Sequence, residues 1–224
     1  MIRKLILTLS LLALTNAVHA SLIVTSPATG ADMVGLEVTI NYEDNTSSSA
    51  LWQLVADNGG LTPVAAEGRS GRAFVDGEWE LSQAGYTLGA IDNGIFYGDW
   101  VLNNFNSVGI TSLILNGLSS GFVFDVLSEN DGGPEYTPGS GNGLAFVTQF
   151  AGAVGFYSDQ VDPAFGDLFY TLTVDFSAPV QSGQEVVFFA DVDQVTVPAP
   201  STLAIMICGL LIAVRRSSKV LNKA

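Results

Sequence analysis

Apolar and polar residues alternate with a period of two along much of the chain between residues 21 and 196. Two segments show this most clearly, with apolar positions at Val34, Leu36, Val38, Ile40 and Tyr42 in one and at Leu168, Tyr170, Leu172, Val174 and Phe176 in the other. Successive side chains of a β-strand point to opposite faces of the sheet. The pattern therefore predicts strands with one buried and one solvated face.

Further apolar runs predict additional short strands at residues 50–56, 72–81, 95–102, 108–115, 121–127, 144–150 and 185–192. Pairs such as Asn93-Gly94 and Asn116-Gly117 separate many of these runs and are typical of tight turns. Asp76-Gly77 falls inside one run, where it indicates a hairpin tip or a bulge. Many short strands without a long amphipathic helix predict an all-β fold, either an antiparallel β-sandwich or a jelly roll.

The first 20 residues have the pattern of a secretory signal peptide. Arg3 and Lys4 precede an apolar run at residues 5–14, and Val18-His19-Ala20 places small or apolar residues at the positions that signal peptidase reads. We therefore expect signal peptidase to cleave between Ala20 and Ser21. Such a leader predicts export from the cytoplasm.

A second apolar run, at residues 203–214, lies near the C-terminus and is followed at once by basic residues. It is shorter than the roughly 17–25 residues of a comfortable membrane span, although local thinning of the bilayer accommodates a short one. Arg215 and Arg216, with Lys219 and Lys223 behind them, have the pattern of a membrane stop signal. The sequence thus predicts a short C-terminal transmembrane helix.

The segment Val197-Pro198-Ala199-Pro200-Ser201 lies directly before this second run. Its two prolines keep the chain extended, and Ser201 is a suitable N-cap for an apolar helix. The order of Pro-x-Pro motif, apolar helix and basic end over residues 197–224 resembles the PEP-CTERM tail of exosortase substrates. The same physical features also describe an ordinary tail anchor behind a proline-rich linker.

The resemblance implies a route through the cell envelope. It implies a transient anchor in the inner membrane, recognition by an exosortase-like membrane enzyme, removal of the tail, and delivery to the cell surface or to extracellular polysaccharide. The family usually has glutamate where this chain has Ala199, so any recognition step that reads that carboxylate is lost.

Charge divides the chain into three parts: a signal peptide at 1–20, an acidic β-sandwich domain at 21–196 and a sorting tail at 197–224. All 22 acidic residues lie in the middle part, where Arg69 and Arg72 are the only basic ones, so its net charge is 2 − 22 = −20. Nucleic-acid binding needs a basic surface. We therefore exclude nucleic acid as a partner.

The single histidine, His19, and the single cysteine, Cys208, both lie outside the middle part. That part therefore has no disulfide, no zinc site built from histidine or cysteine, and no Ser-His-Asp or Cys-His nucleophile. The sequence predicts a protein that is not an enzyme and has no required cofactor.

Calcium binding is one chemistry that the sequence leaves open. Glu129, Asn130, Asp131 and Glu135 cluster oxygen ligands on a long loop at residues 128–143, and hard cations prefer such ligands. Asp191 and Asp193, with Gln194 beside them, form a second acidic group near the last strand.

Carbohydrate binding is another open alternative, because aromatic rings on a sandwich surface form platforms for sugars. The available rings are Trp52, Trp79, Trp100, Tyr86, Tyr97 and Tyr136. A glycoside hydrolase is the weakest alternative and rests on Glu78 and Glu80, two carboxylates two residues apart. No catalytic residue is assigned.

The prediction is thus a non-enzymatic exported protein of the cell envelope or extracellular matrix. Its expected partners are signal peptidase, an exosortase-like enzyme and extracellular polysaccharide. A lectin-like or calcium-binding module is the alternative.

Overall fold

A computed structural model describes residues 23–55, 70–84, 91–92, 95–96, 98–127, 141, 143–161 and 166–196 of this chain. These residues lie almost entirely in one compact unit, Val24–Thr196, and contain strands but no helix. Within them, no helical segment has the length and apolar character needed to cross a membrane. The predicted signal peptide and sorting tail lie outside the described residues.

Sixteen strands follow one another along the described residues of the unit. They are β1 (Val24–Pro27), β2 (Glu37–Tyr42), β3 (Ser47–Leu51), β4 (Gln53–Val55), β5 (Ser70–Val75), β6 (Trp79–Ala84), β7 (Ile91–Asp92), β8 (Ile95–Phe96), β9 (Trp100–Asn104), β10 (Ile110–Asn116), β11 (Phe122–Asp125), β12 (Val147–Thr148), β13 (Ala153–Gln160), β14 (Leu168–Val180), β15 (Glu185–Phe189) and β16 (Asp191–Thr196).

The strands form two main antiparallel sheets. The first has eight strands in the order β1-β16-β11-β14-β10-β2-β3, with β13 paired to β14 beside this path, and the second has six in the order β12-β15-β9-β6-β5-β4. Strands β7 and β8 form a separate two-stranded ribbon. The predicted all-β fold is confirmed, and the arrangement is that of a β-sandwich.

Among the described strands the chain passes between the two main sheets six times, and two of these crossings connect edge strands. Strand β3 ends the first sheet, and after Trp52 the chain continues as β4 at the edge of the second. Strand β12 begins the second sheet, and after residues 149–152 the chain continues as β13 in the first. These two crossings join the sheets covalently at their edges.

One apolar core contains residues from both sheets, among them the three tryptophans Trp52, Trp79 and Trp100. Trp52 packs edge-on against Trp100 with ring centroids 5.2 Å apart, and Trp100 stacks on Phe188 at 5.7 Å. Fully burying a large apolar side chain stabilises a fold by roughly 1.5–3 kcal/mol. The core thus supplies the stability of a domain whose sequence contains no cysteine.

The two strands with the clearest alternation are confirmed as β2 and β14. Val34, the first apolar position of the first pattern, precedes β2 and is exposed. The run at residues 72–81 is a hairpin, because β5 and β6 pair antiparallel around a turn that contains Asp76-Gly77.

Candidate cation site

Three aspartates meet where strands β11 and β16 pair. Asp125 ends β11 and lies directly opposite Asp191, the first residue of β16, while Val123 lies opposite Asp193. Residues two apart on a strand point to the same face, so Asp191 and Asp193 both lie on the face of Asp125. Carboxylate oxygens of the three residues lie within 4.8 Å of one another.

The segment that follows the long acidic loop closes over this cluster. Leu144 donates its N–H to the carbonyl of Asp125 at 2.9 Å, and its own carbonyl accepts from the N–H of Asp191 at 3.0 Å. Gly143 lies so close that a β-carbon at this position would collide with the Asp125 carboxylate. A glycine at 143 therefore lets the backbone reach the cluster.

The three carboxylates are almost fully buried, since Asp125, Asp191 and Asp193 are 1%, 1% and 5% exposed. A fourth buried acidic residue, Asp167, is close enough for its charge to raise the pKa of Asp125, and its carbonyl accepts from the N–H of Val126 at 3.0 Å. Burying a carboxylate is costly unless it is paired, protonated or bound to a cation.

Burial dominates the acid–base behaviour of the cluster. It raises the pKa of Asp125 to about 7, opposed by a hydrogen bond from the N–H of Leu127 and assisted by the charges of Asp193 and Asp167. Burial also raises the pKa of Asp193, against a hydrogen bond from Thr25 that favours the ionised carboxylate. Ionisation of all the carboxyls of the cluster at once is therefore unfavourable.

No basic side chain of the described residues is at hand to neutralise this charge. Arg72 is the one lysine or arginine among them, and its guanidinium is 2.8 Å from Glu80 and 4.3 Å above the ring of Phe74. A cluster of this kind avoids like-charge repulsion by keeping protons, by pairing with a basic group or by binding a hard cation.

The described residues fit a calcium ligand set only in part. Calcium takes about 6–8 oxygen ligands, whereas the cluster supplies one carboxylate oxygen from each of three residues. Backbone carbonyls or water would have to supply the remainder. Asp125, Asp191 and Asp193 are the residues that would hold the ion.

Of the two predicted calcium groups, the structure describes only the second, near the last strand. Asp191 and Asp193 are together as predicted, whereas Gln194 lies on the opposite face of β16 and is exposed. Glu129, Asn130, Asp131 and Glu135 lie outside the described residues. The described residues on either side of them do reach the cluster, since Leu127 donates its N–H to the Asp125 carboxylate at 3.1 Å and Gly143 donates its own to the carbonyl of Leu127 at 2.7 Å.

Asp125 was not predicted as a site residue. It ends the apolar run Phe122-Val123-Phe124 and is followed by Val126-Leu127, so the sequence shows it as one polar residue within a strand. The available signal was that a lone carboxylate lies among five apolar neighbours. Only the pairing of β11 with β16 shows which residues it meets.

The tryptophans do not form a sugar-binding platform, because all three are fully buried. Each indole N–H also has a partner within the fold: Trp52 donates to the Gly30 carbonyl at 2.7 Å, and Trp100 donates to the Ala190 carbonyl at 3.0 Å. Trp79 donates to the Ser48 hydroxyl at 2.8 Å. The side chains of Tyr86, Tyr97 and Tyr136 lie outside the described residues.

The two glutamates of the glycosidase alternative have separate surroundings. Glu78 lies in the turn before β6 and accepts a hydrogen bond from the Tyr42 hydroxyl at 2.8 Å. Glu80 lies within β6 and pairs with Arg72. Each carboxylate thus has its own partner within the fold, a hydrogen-bond donor for Glu78 and an ion-pair partner for Glu80. The sorting-motif residues, the stop signal and the signal-cleavage site all lie outside the described residues.

The fold and this cluster define an acidic antiparallel β-sandwich with a buried group of carboxylates. No protein-family model, no curated protein and no solved structure matches the chain. Inferences about its function therefore rest on its own residues.

Proposed function

We propose that this chain is an exported, non-enzymatic protein of the cell envelope or extracellular matrix, sorted through its C-terminal tail. The observation that carries the proposal is the order of residues 197–224: the Pro198-Ala199-Pro200 motif, an apolar run, then Arg215-Arg216. In this proposal residues 1–20 are a cleaved signal peptide, and residues 203–214 are a short transmembrane helix that serves as a temporary anchor.

The β-sandwich suits delivery to an oxidising compartment outside the cytoplasm. Its core is apolar and large, and its sequence has no cysteine to be oxidised between residues 21 and 196. Its charge of 2 − 22 = −20 over this range repels anionic polysaccharide unless cations lie between them. The partners in this proposal are signal peptidase, an exosortase-like enzyme and, through cations, extracellular polysaccharide.

Intact mass and cell fractionation in the native host test the proposal. We expect the mature protein to lack residues 1–20 and the residues after about Pro200, and to be recovered outside the cell. Changing both Pro198 and Pro200 to alanine should leave the tail attached and the protein in the inner membrane. The Ser217→Ala, Ser218→Ala variant, altered behind the stop signal, is the matched control and should be processed normally.

A wild-type protein that keeps its tail and remains in the inner membrane would contradict the sorting proposal. The chain would then be a tail-anchored domain facing the periplasm. Reversing the stop signal with Arg215→Glu and Arg216→Glu separates insertion from cleavage, because it should prevent anchoring even where no enzyme reads the proline motif.

A calcium-binding module is a second candidate function, favoured by the buried Asp125, Asp191 and Asp193 cluster. A cation that binds only the folded protein raises its melting temperature. We expect calcium to raise the melting temperature of the wild-type protein relative to chelator, and this effect to be lost in Asp193→Asn. Asp175→Asn, which alters an exposed carboxylate on β14, is the matched control and should keep it.

Two results would remove calcium as the second candidate. One is a melting temperature that responds to pH but not to calcium, which means that the cluster keeps protons instead. The other is an equal response to calcium in the wild-type and Asp193→Asn proteins, which places the ion elsewhere. Lectin-like binding has no support from the described residues, because the tryptophans lie in the core.

A further inference from the structure

Strand β13 (Ala153–Gln160) is the longest edge strand of the two main sheets among the described residues. It has eight residues and pairs only with β14. The other edge strands are shorter: β12 has two residues, β4 has three, β1 has four and ends in Pro27, and β3 has five, of which three are serines. Native proteins commonly use such short or proline-containing edge strands, which limit pairing with strands of other chains.

The hydrogen-bond ladder fixes which backbone groups of β13 point outward. Ser177 donates its N–H to the carbonyl of Gly152 at 2.9 Å, and from there the register runs without a break from Ala153 to Ser158. Bonded and non-bonded pairs alternate in an antiparallel ladder. Val154, Phe156 and Ser158 therefore bond to β14, whereas the backbone groups of Gly155 and Tyr157 point away from it.

The side chains of β13 leave this edge open and apolar. Val154 and Phe156 lie on one face and are 51% and 53% exposed. The strand contains neither lysine nor proline, and its one charged residue, Asp159, lies near its end. The carboxylate of Asp159 accepts a hydrogen bond from the Thr171 hydroxyl at 2.7 Å, within the same sheet. From Ala153 to Ser158 no residue prevents another strand from pairing with β13, whereas Asp159 has a positive φ of 60° and interrupts the regular strand.

We propose that β13 pairs antiparallel with β13 of a second copy of this chain, about a two-fold axis that passes beside Phe156. In this register Gly155 of one copy lies opposite Tyr157 of the other, and their outward backbone groups exchange hydrogen bonds on both sides of the axis. The main eight-stranded sheet then continues across the interface into the sheet of the partner.

A second copy fits this edge because the register is self-complementary. Phe156 faces Phe156, and an aromatic pair directly opposite across two strands is stabilising. Val154 faces Ser158, and the two Asp159 residues lie beyond this pairing, at opposite ends of the paired strands. The N–H of Ala153 is already bonded to the Phe150 carbonyl at 3.3 Å. Without it, an axis at Gly155 would leave one complete bonded pair, whereas the proposed axis leaves two.

Single-cysteine crosslinking in the full-length chain tests both the partner and the register. Cys208 is changed to serine, which leaves no cysteine after the signal peptide, and Phe156→Cys is then added. Residues opposite each other in a non-bonded pair have Cα atoms about 4.5 Å apart, which permits a disulfide. We expect most of the exported Phe156→Cys protein to migrate as a disulfide-linked dimer on a non-reducing gel.

Val154→Cys is the matched control, because it has the same face and nearly the same exposure as Phe156. In the proposed register two copies of residue 154 lie roughly 13 Å apart, since four residues of strand separate them at about 3.3 Å each. Val154→Cys alone should therefore stay monomeric on the gel. Co-expressed Val154→Cys and Ser158→Cys proteins should form a mixed dimer.

A second readout measures association without cysteines. In sedimentation velocity of protein purified from the native host, Phe156→Lys should shift the dimer to monomer, while Leu54→Lys, on the exposed edge strand β4, should not. A monomeric wild-type protein, or a folded Phe156→Cys protein without crosslink, would refute the proposal. Equal crosslinking by Val154→Cys alone would refute the register and with it the two-fold pairing.

Discussion

Asp125 combines burial, a nearby acidic cluster and one opposing hydrogen bond in a single side chain. Burial raises the pKa of this carboxyl to about 7, so it exchanges its proton near neutral pH. The ordinary value is about 3.9 in an unfolded chain. This difference couples the folding of the domain to pH.

We predict that, in the presence of chelator, the domain becomes less stable as the pH rises from about 4 to about 7. A carboxyl whose pKa is raised on folding adds stability that is complete below the unfolded value and is lost as the pH rises through the folded value. The difference between about 4 and about 7 corresponds to on the order of 4 kcal/mol. Denaturant unfolding at a series of pH values measures it.

Asp125→Asn isolates this residue, because the amide is neutral at every pH and nearly the same size. Its free energy of unfolding should vary less with pH than that of the wild-type protein, with the largest difference near pH 7. The exposed Asp175→Asn is the control and should keep the wild-type slope. If Asp125→Asn also keeps that slope, another group controls the pH dependence.

The residues of the candidate site were predictable only where they are near in sequence. Asp191 and Asp193 show their common face by their spacing alone. Asp125 joins them through the pairing of β11 with β16, and no local pattern states which strands pair. Its pKa likewise depends on burial by the segment around Leu144, which is a property of the folded chain.

Strands with one buried and one solvated face were predictable, and edge strands were not. In β2 the core positions Val38, Ile40 and Tyr42 are apolar and the positions between them are polar, so the period is visible. In β13 the inward positions include Ala153 and Gly155, while Val154 and Phe156 point outward. Small residues therefore point inward and larger apolar ones outward, the reverse of the pattern in β2. The inward side has little room, because Phe146 packs directly against Gly155.

Strand β3 and its crossing to β4 could not be predicted from the sequence either. Its residues Ser47, Ser48 and Ser49 give no apolar signal, yet they pair with β2 along their whole length. Ser49 bonds to Thr39 and Ser48 bonds to Tyr42, so hydroxyl groups replace apolar contacts at this edge. The crossing that follows is fixed by Trp52.

We predict that Trp52 contributes to stability both by its ring and by its indole N–H. The ring is fully buried against Trp100, and the N–H donates to the Gly30 carbonyl at 2.7 Å. Trp52→Phe should lower the free energy of unfolding by about 1–3 kcal/mol, because it leaves the buried carbonyl without this donor. Trp52→Ala should lower it by about 3–5 kcal/mol, because it also opens a cavity.

Denaturant unfolding compares these variants with Leu51→Ala, which precedes Trp52 on the same segment but is exposed. That control should change stability by less than about 0.5 kcal/mol. If Trp52→Phe behaves like the control, the hydrogen bond to Gly30 does not help to hold the crossing. Trp52 would then hold this crossing by the apolar contacts of its ring alone.

At the scale of the whole molecule, net charge is the property that can be calculated directly from the sequence. Residues 21–196 have a net charge of 2 − 22 = −20, and the described part of the range contains one basic side chain, Arg72. Like charges at the surface repel over distances of about 10 Å at 0.1 M salt, and added salt screens them. The same repulsion acts among the charges of one β-sandwich domain and between the domains of two chains.

We predict that, with chelator present, raising sodium chloride from about 0.02 M to about 0.5 M increases both the melting temperature and the dimer fraction. These concentrations shorten the screening length from roughly 20 Å to a few ångströms, so self-repulsion falls in the monomer and across the β13 interface. Calorimetry and sedimentation velocity measure the two effects. An interface built on ion pairs would instead weaken with salt, so a falling dimer fraction would contradict pairing through apolar residues and backbone.

Comparing calcium chloride with sodium chloride at equal ionic strength then separates screening from ion binding. An extra rise in melting temperature with calcium that is present in the wild-type protein and absent in Asp193→Asn is due to the carboxylate cluster. A rise common to every variant is due to screening.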